Sequence, residues 1–187
     1  MLNNSAKIIF EGLNEYGIVR IGAITKYLTI ANDGGPYTIG QDNTHRLKNF
    51  IVDGAGDVVV DNTVFTKLLS MNSTEQVTFD QALDLGAGGN ILFRADGELI
   101  VNGVTGSVTT SANNQGILTI QSGNVNGTIG ANGSSLKLVN IGANPITFSA
   151  NVFAPVALNK NGSILALADG ITLTGAVTTT AGDGSGK

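Results

Sequence analysis

The stretch Ile91-Leu92-Phe93-Arg94-Ala95-Asp96-Gly97, running on through Glu98-Leu99-Ile100-Val101-Asn102-Gly103-Val104-Thr105-Gly106-Ser107-Val108-Thr109-Thr110, decides the fold. Short apolar runs of alternating pattern, rich in β-branched residues, end at turn signals such as Asn102-Gly103. This is the pattern of short strands joined by tight turns. It returns at Ile164-Leu165-Ala166-Leu167-Ala168-Asp169-Gly170, followed by Ile171-Thr172-Leu173-Thr174-Gly175-Ala176-Val177-Thr178-Thr179-Thr180. Between the two copies lie units beginning at Ile117 and near Leu136. The starts at 91, 117, 136 and 164 are therefore 26, 19 and 28 residues apart. A period near the low twenties with variable turns indicates a solenoid. Three short strands and three turns fit one coil of a parallel β-helix. A propeller blade needs about 40 residues and usually aromatic signatures, and aromatics are 5% here. No segment of the second half sustains a 3.6-residue period, so helices are not expected there.

The composition agrees with this architecture. The 187 residues include 26 Gly, 3 Pro and no Cys, and charged residues make up 13%. Stacked coils need Val, Ile and Leu inside, Thr, Ser and Asn outside, and Gly or Asn at corners that demand positive φ. Like charges stacked at the interstrand spacing of about 4.8 Å would repel. Nineteen charged residues lie between Met1 and Glu98. Only five follow: Lys137, Lys160, Asp169, Asp183 and Lys187. A disulfide scaffold, a thiol enzyme and a Cys-based zinc site are excluded. The net charge of -4 and the scattered Lys and Arg give no basic stripe, so nucleic acid is not expected as a partner. No stretch approaches the 18 apolar residues of a membrane span. Residues Met1 to Lys7 show no signal-peptide pattern, and any targeting or anchoring part is expected outside this chain.

The expected organisation is all-β. Residues 1–90 form a β-rich amino-terminal segment, which the pattern permits to be continuous with the solenoid. Residues 91–180 form the β-helix repeat, and 181–187 a flexible tail. Lys7-Phe10, Ile18-Ile21, Tyr27-Ile30, Phe50-Val52 and Asp57-Asp61 read as strands, and Asn32-Pro36 and Asp53-Gly56 as turns. The stretch Asn62 to Asn72 suits a short helix or a strand.

The motifs carry little chemistry. His45, the single histidine, sits in the polar turn Asp42-Asn43-Thr44-His45-Arg46 and reads as a surface residue. A Ser-His-Asp triad would have to use it, and no Gly-x-Ser-x-Gly elbow is present. Gly182-Asp183-Gly184-Ser185-Gly186-Lys187 lacks the first glycine, the following Ser or Thr and the helix of a phosphate-binding loop. Gly86-Ala87-Gly88-Gly89 and Gly103-Val104-Thr105-Gly106 are not dinucleotide fingerprints. Asp53-Gly54-Ala55-Gly56-Asp57 approaches a calcium-binding β-roll turn but is not repeated. Asp57 with Asp61, or Asp80 with Asp84, could face alike as paired carboxylates, yet such spacing is common in any acidic chain. Arg94-Ala95-Asp96 is not an integrin-binding Arg-Gly-Asp. No catalytic, cofactor-binding or metal-ligating residue is expected, and no cofactor.

The second half resembles the passenger regions of bacterial autotransporters, in particular rickettsial surface cell antigens of the outer-membrane protein B type. The residues that carry this are Asn113-Asn114-Gln115-Gly116-Ile117-Leu118-Thr119-Ile120, Asn124-Val125-Asn126-Gly127-Thr128-Ile129-Gly130 and Ser134-Ser135-Leu136-Lys137-Leu138-Val139-Asn140-Ile141-Gly142. Gly175-Ala176-Val177-Thr178-Thr179-Thr180 is similar to a further repeat segment. The resemblance covers about Ile91 to Thr180. It implies a right-handed parallel β-helix at the surface of a Gram-negative bacterium. The implied role is non-enzymatic: adhesion to a host-cell protein or glycan, or a surface layer. Without a signal peptide or membrane barrel, the chain is expected to be part of a larger passenger. Alternatives are a polysaccharide-binding or -cleaving β-helix protein and an inert fragment of a split gene. Open solenoid ends present strand edges, so self-association is expected.

Overall fold

The computed structural model of the chain describes residues 7–11, 17–24, 27–31 and 38–179. Among them every regular element is a β-strand. Strand β1 (Lys7–Glu11) precedes a first coil of β2 (Ile18–Ile24), β3 (Tyr27–Ile30) and β4 (Thr38–Ile39). The second coil is β5 (Asn49–Gly54), β6 (Asp57–Val60) and β7 (Thr63–Phe65). The third is β8 (Leu68–Met71), β9 (Gln76–Phe79) and β10 (Leu83–Asp84). In the next two coils the second and third strands fuse. These are β11 (Asn90–Phe93) with β12 (Glu98–Val104), then β13 (Ser107–Thr110) with β14 (Ile117–Val125). The sixth coil opens on the bridging residue Ile129 and continues with β15 (Leu138–Ile141) and β16 (Ile146–Phe148). The seventh is β17 (Val152–Phe153), β18 (Val156–Leu158) and β19 (Leu165–Leu167), and β20 (Leu173–Thr174) and β21 (Val177–Thr179) follow.

Each strand pairs in parallel with its equivalent one coil away, which gives three faces: A, B and C. On face B the inward column is Leu28, Val58, Val77, Leu99, Leu118, Val139, Val156 and Val177, each joined in register to the next. On face A it is Val19, Phe50, Leu69, Ile91, Val108, Ile129, Val152 and Leu173. The chain is thus a β-solenoid of about seven turns, and its parallel register runs from β2 to β21. Alternation along each strand sends every second side chain inward. The coil below then covers it, and each fully buried Val or Leu contributes about 1.5–3 kcal/mol. On face B the column is buried from Leu28 to Val156, while its last member, Val177, is 53% exposed.

Strand β1 departs from this pattern. It pairs antiparallel with β2, from Lys7 opposite Gly22 to Glu11 opposite Ile18, along the amino-terminal edge of face A. The stretch Asn62 to Asn72 is strand, containing β7 and β8. The turn expected at Asn32-Pro36 and the tail 181–187 lie outside the described residues.

The repeat is real but its phase differs from the pattern alignment. Ile91 lies on face A, in β11, whereas Ile164 precedes β19 on face C. All three faces carry the same short alternating strand, so matching apolar runs slips by one face without penalty. Register is cleaner: on face B, successive column members are 17 to 30 residues apart.

Asparagine and aspartate act differently at the corners than positive φ alone would require. Among described non-glycine residues only Asn114 has φ above zero. Four others act through their side chains, which accept a backbone N–H from the following coil. Asp57 takes that of Gln76 at 3.1 Å, Asp96 that of Gly116 at 3.1 Å, Asn113 that of Ser135 at 2.9 Å and Asn151 that of Thr172 at 2.8 Å. These bonds satisfy corner donors that no strand ladder reaches. At the corner between faces C and A, Gly89, Gly106 and Gly127 stack so closely that a Cβ on Gly106 would lie 2.3 Å from the Gly89 oxygen. There, space rather than φ selects glycine.

Candidate functional site

The fused strands turn the corner between faces B and C through bulges. Val101 pairs with Ile120, but Asn102 pairs with Ser122, which leaves Gln121 as an extra residue in β14. Such a bulge bends the strand and re-aims a side chain. Here it exposes Gln121 beside the outward face B residues Ile100 and Thr119. These three residues form one side of a groove of about 450 Å³. Gly142, Ala143 and Asn144, from the turn between β15 and β16, continue it, and Asn159 and Lys160 close the far side.

Hydrogen bonds fix these walls. Gln76 Nε2 donates to Glu98 Oε2 at 3.0 Å, the Thr119 hydroxyl donates to Glu98 Oε1 at 2.6 Å, and Asn140 Nδ2 donates to Thr119 Oγ1 at 3.1 Å. The Thr119 hydroxyl is therefore engaged on both sides and turns in one direction. Asn144 Nδ2 donates to the Gln121 carbonyl at 3.0 Å, which ties the turn to the bulge. The loop carrying Lys160 is pinned by fully buried Ser163. The Ser163 hydroxyl lies 2.8 Å from the carbonyl oxygens of Gly142 and Lys160 and accepts the Lys160 N–H at 3.0 Å. Among the described residues no carboxylate lies within ion-pair distance of Lys160. The groove thus offers the amides of Gln121, Asn144 and Asn159 and one ammonium, Lys160, on a fixed frame of backbone and hydroxyl. A more open depression of about 380 Å³ lies on face C, lined in part by Asn102, Asn124 and Asn126.

The residues weighed in the sequence are dispersed. His45 is exposed, and its Nδ1 lies 3.1 Å from Asp42. Bonds from the Thr44 hydroxyl and N–H, with smaller contributions from His45, hold the Asp42 carboxyl far below the usual carboxylate range, against an opposing effect of burial. Asp42 thereby closes its own turn. Asp53 pairs with Arg20 at 3.2 Å, while Asp57 takes the Gln76 N–H. Asp61 accepts from Gln81 at 3.4 Å, and Asp84 binds Arg46 through both oxygens at 2.9 Å. Asp57 and Asp61 are thus held by separate partners, and Asp84 is engaged by Arg46 rather than by Asp80. Among the described residues no group of three or more His, Asp or Glu is placed to hold a metal ion. Gly86 to Gly89 form the corner between β10 and β11, and Gly182 to Lys187 lie outside the described residues.

None of the groove residues was singled out from the sequence. One signal was present: inward positions must be an even number apart in an unbroken strand, yet Ile120 and Val125 are five apart, as the numbering shows. Comparison with protein-family models, with curated proteins and with solved structures gives no match.

Proposed function

We propose that this chain is a non-enzymatic surface module, a passenger-type β-solenoid of a Gram-negative cell surface that attaches to a host-cell protein or glycan as part of a larger protein. The observation that carries this is the outward column of face B: Thr29, Val59, Thr78, Ile100 and Thr119, one per coil, in register and partly exposed, continued through the buried Asn140 and Ala157 to exposed Thr178. At about 4.8 Å per coil the accessible run from Thr29 to Thr119 is an uncharged strip about 19 Å long. A preformed strip of this kind loses little conformational freedom on binding, which favours recognition. The autotransporter resemblance of residues 91–180 supports the same reading. A surface-layer role uses the same strip for lateral packing. Self-association is favoured by the exposed residues Leu167 and Val177 of the last coils.

The test is attachment. Fluorescently labelled chain is titrated onto host-cell monolayers beside a variant carrying Thr78→Lys and Thr119→Lys. Saturable attachment that the variant loses supports the proposal. Attachment no greater than that of an unrelated acidic β-protein overturns it.

A further inference from the structure

We infer that the groove at the corner of faces B and C is a binding site for an acidic carbohydrate, a sugar bearing a carboxylate. This rests on the adhesion reading and names the ligand class of one site within it. Three independent features meet there. The first is the bulge at Gln121, the first of two register shifts between β12 and β14, which leaves the Gln121 amide exposed. The second is the pinned loop, in which a buried hydroxyl fixes the backbone on either side of the groove and so places Lys160. The third is charge. Lys160 stands without a carboxylate partner among the described residues, on a chain of net charge -4.

The chemistry fits a sugar better than a peptide. An amide offers both a donor and an acceptor, which matches the paired hydroxyls of a pyranose ring. Ile100 and Ala143 supply an apolar patch for the ring's C–H face, and the volume falls within the usual range of about 300–1,000 Å³ for small-ligand sites. The ammonium would take the carboxylate as a charge-assisted hydrogen bond. A peptide binding by strand addition needs a free strand edge. The strands here are already paired on both sides, β14 with β12 and β15, and β15 with β18.

The full chain is titrated with sodium glucuronate, with methyl glucoside and with an acetylated Asp-Glu dipeptide at matched ionic strength, and backbone amide shifts are followed by NMR. Glucuronate is expected to shift Gln121, Gly142, Ala143, Asn144 and Lys160, and to bind about fivefold more tightly than methyl glucoside, the ratio an exposed charge pair supports. Lys160→Gln should remove that preference. Gln121→Ala should weaken both sugars alike, with the far-ultraviolet circular dichroism unchanged. The site proposal falls if neither sugar moves these amides, if Lys160→Gln keeps the preference, or if the dipeptide binds as well as glucuronate. Host-cell attachment of Lys160→Gln separates the two ideas. Unchanged attachment with lost sugar preference leaves the site standing and removes it as the adhesive contact. Unchanged attachment of a chain that never bound sugar overturns the site and spares the adhesion reading.

Discussion

Replacing Gly106 by alanine tests whether coil stacking at the corner between faces C and A sets the stability of the solenoid. The new Cβ would lie 2.3 Å from the Gly89 oxygen and 2.7 Å from its carbonyl carbon. Both are backbone atoms, so no side chain can swing aside. Restoring ordinary contact separates the two coils by about 1 Å, since carbon and oxygen settle near 3.5 Å. The Ser107 N–H to Gly89 carbonyl bond, 3.0 Å long, then stretches beyond bonding distance. Losing it costs about 0.5–1.5 kcal/mol, and overpacking adds about 1–3 kcal/mol. Alanine recovers about 0.4–1 kcal/mol by restricting the unfolded chain. The net expectation is roughly 1–4 kcal/mol of destabilisation in urea unfolding, with amide exchange accelerated at Ser107. Gly133→Ala is the control. Its φ is +80° and a Cβ there meets nothing within 4 Å. Backbone strain alone costs about 1–2 kcal/mol at such a site and leaves Ser107 protected. If Gly106→Ala costs less than about 0.5 kcal/mol and Ser107 keeps its protection, the stacked corner is not what selects glycine.

Leu118→Ala, inside the face B column and fully buried, should cost about 2–5 kcal/mol in urea unfolding, whereas Val177→Ala, 53% exposed at the end of the same column, should stay within about 0.5 kcal/mol. The Lys137 ammonium, 2.6 Å from Asp96, holds that carboxyl below its ordinary value of 3.8, helped by the Gly116 N–H and opposed by burial. The pair's contribution is therefore present above pH 3.8 and lost as pH falls through the lower folded-state value; Asp96→Asn should cost about 0.2–1 kcal/mol at pH 7 and converge with the parent chain in acid. Light scattering across concentrations should show the chain associating through its last coils, and Val177→Lys should reduce this by placing a charge on the exposed column; a chain that stays monomeric at every concentration refutes the open end.

The fold was legible in the sequence because a solenoid writes the same local rule many times. Val, Ile and Leu alternate with Thr, Ser and Asn wherever a strand buries one face, and Gly marks the corners. The phase was not legible, since the three faces obey one rule: Ile91 on face A and Ile164 beside face C look alike until register separates them. The amino-terminal strand β1 shows the same limit, because alternation reveals a strand but not the direction of its partner, which proved antiparallel. The groove stayed hidden for a different reason. Its parts are ordinary polar residues from coils far apart in sequence, and the bulge and the Ser163 hydrogen bonds bring them together. Even so, one trace of it was present. Val101 to Val104 and Ile120 to Val125 are odd intervals between inward residues, in two successive coils and at the same corner. An odd interval between inward residues within one strand marks where that strand must bulge, and a bulge re-aims a side chain there. Broken parity, more than any catalytic motif, is therefore the sequence signal to seek when a candidate site lies on a β-solenoid.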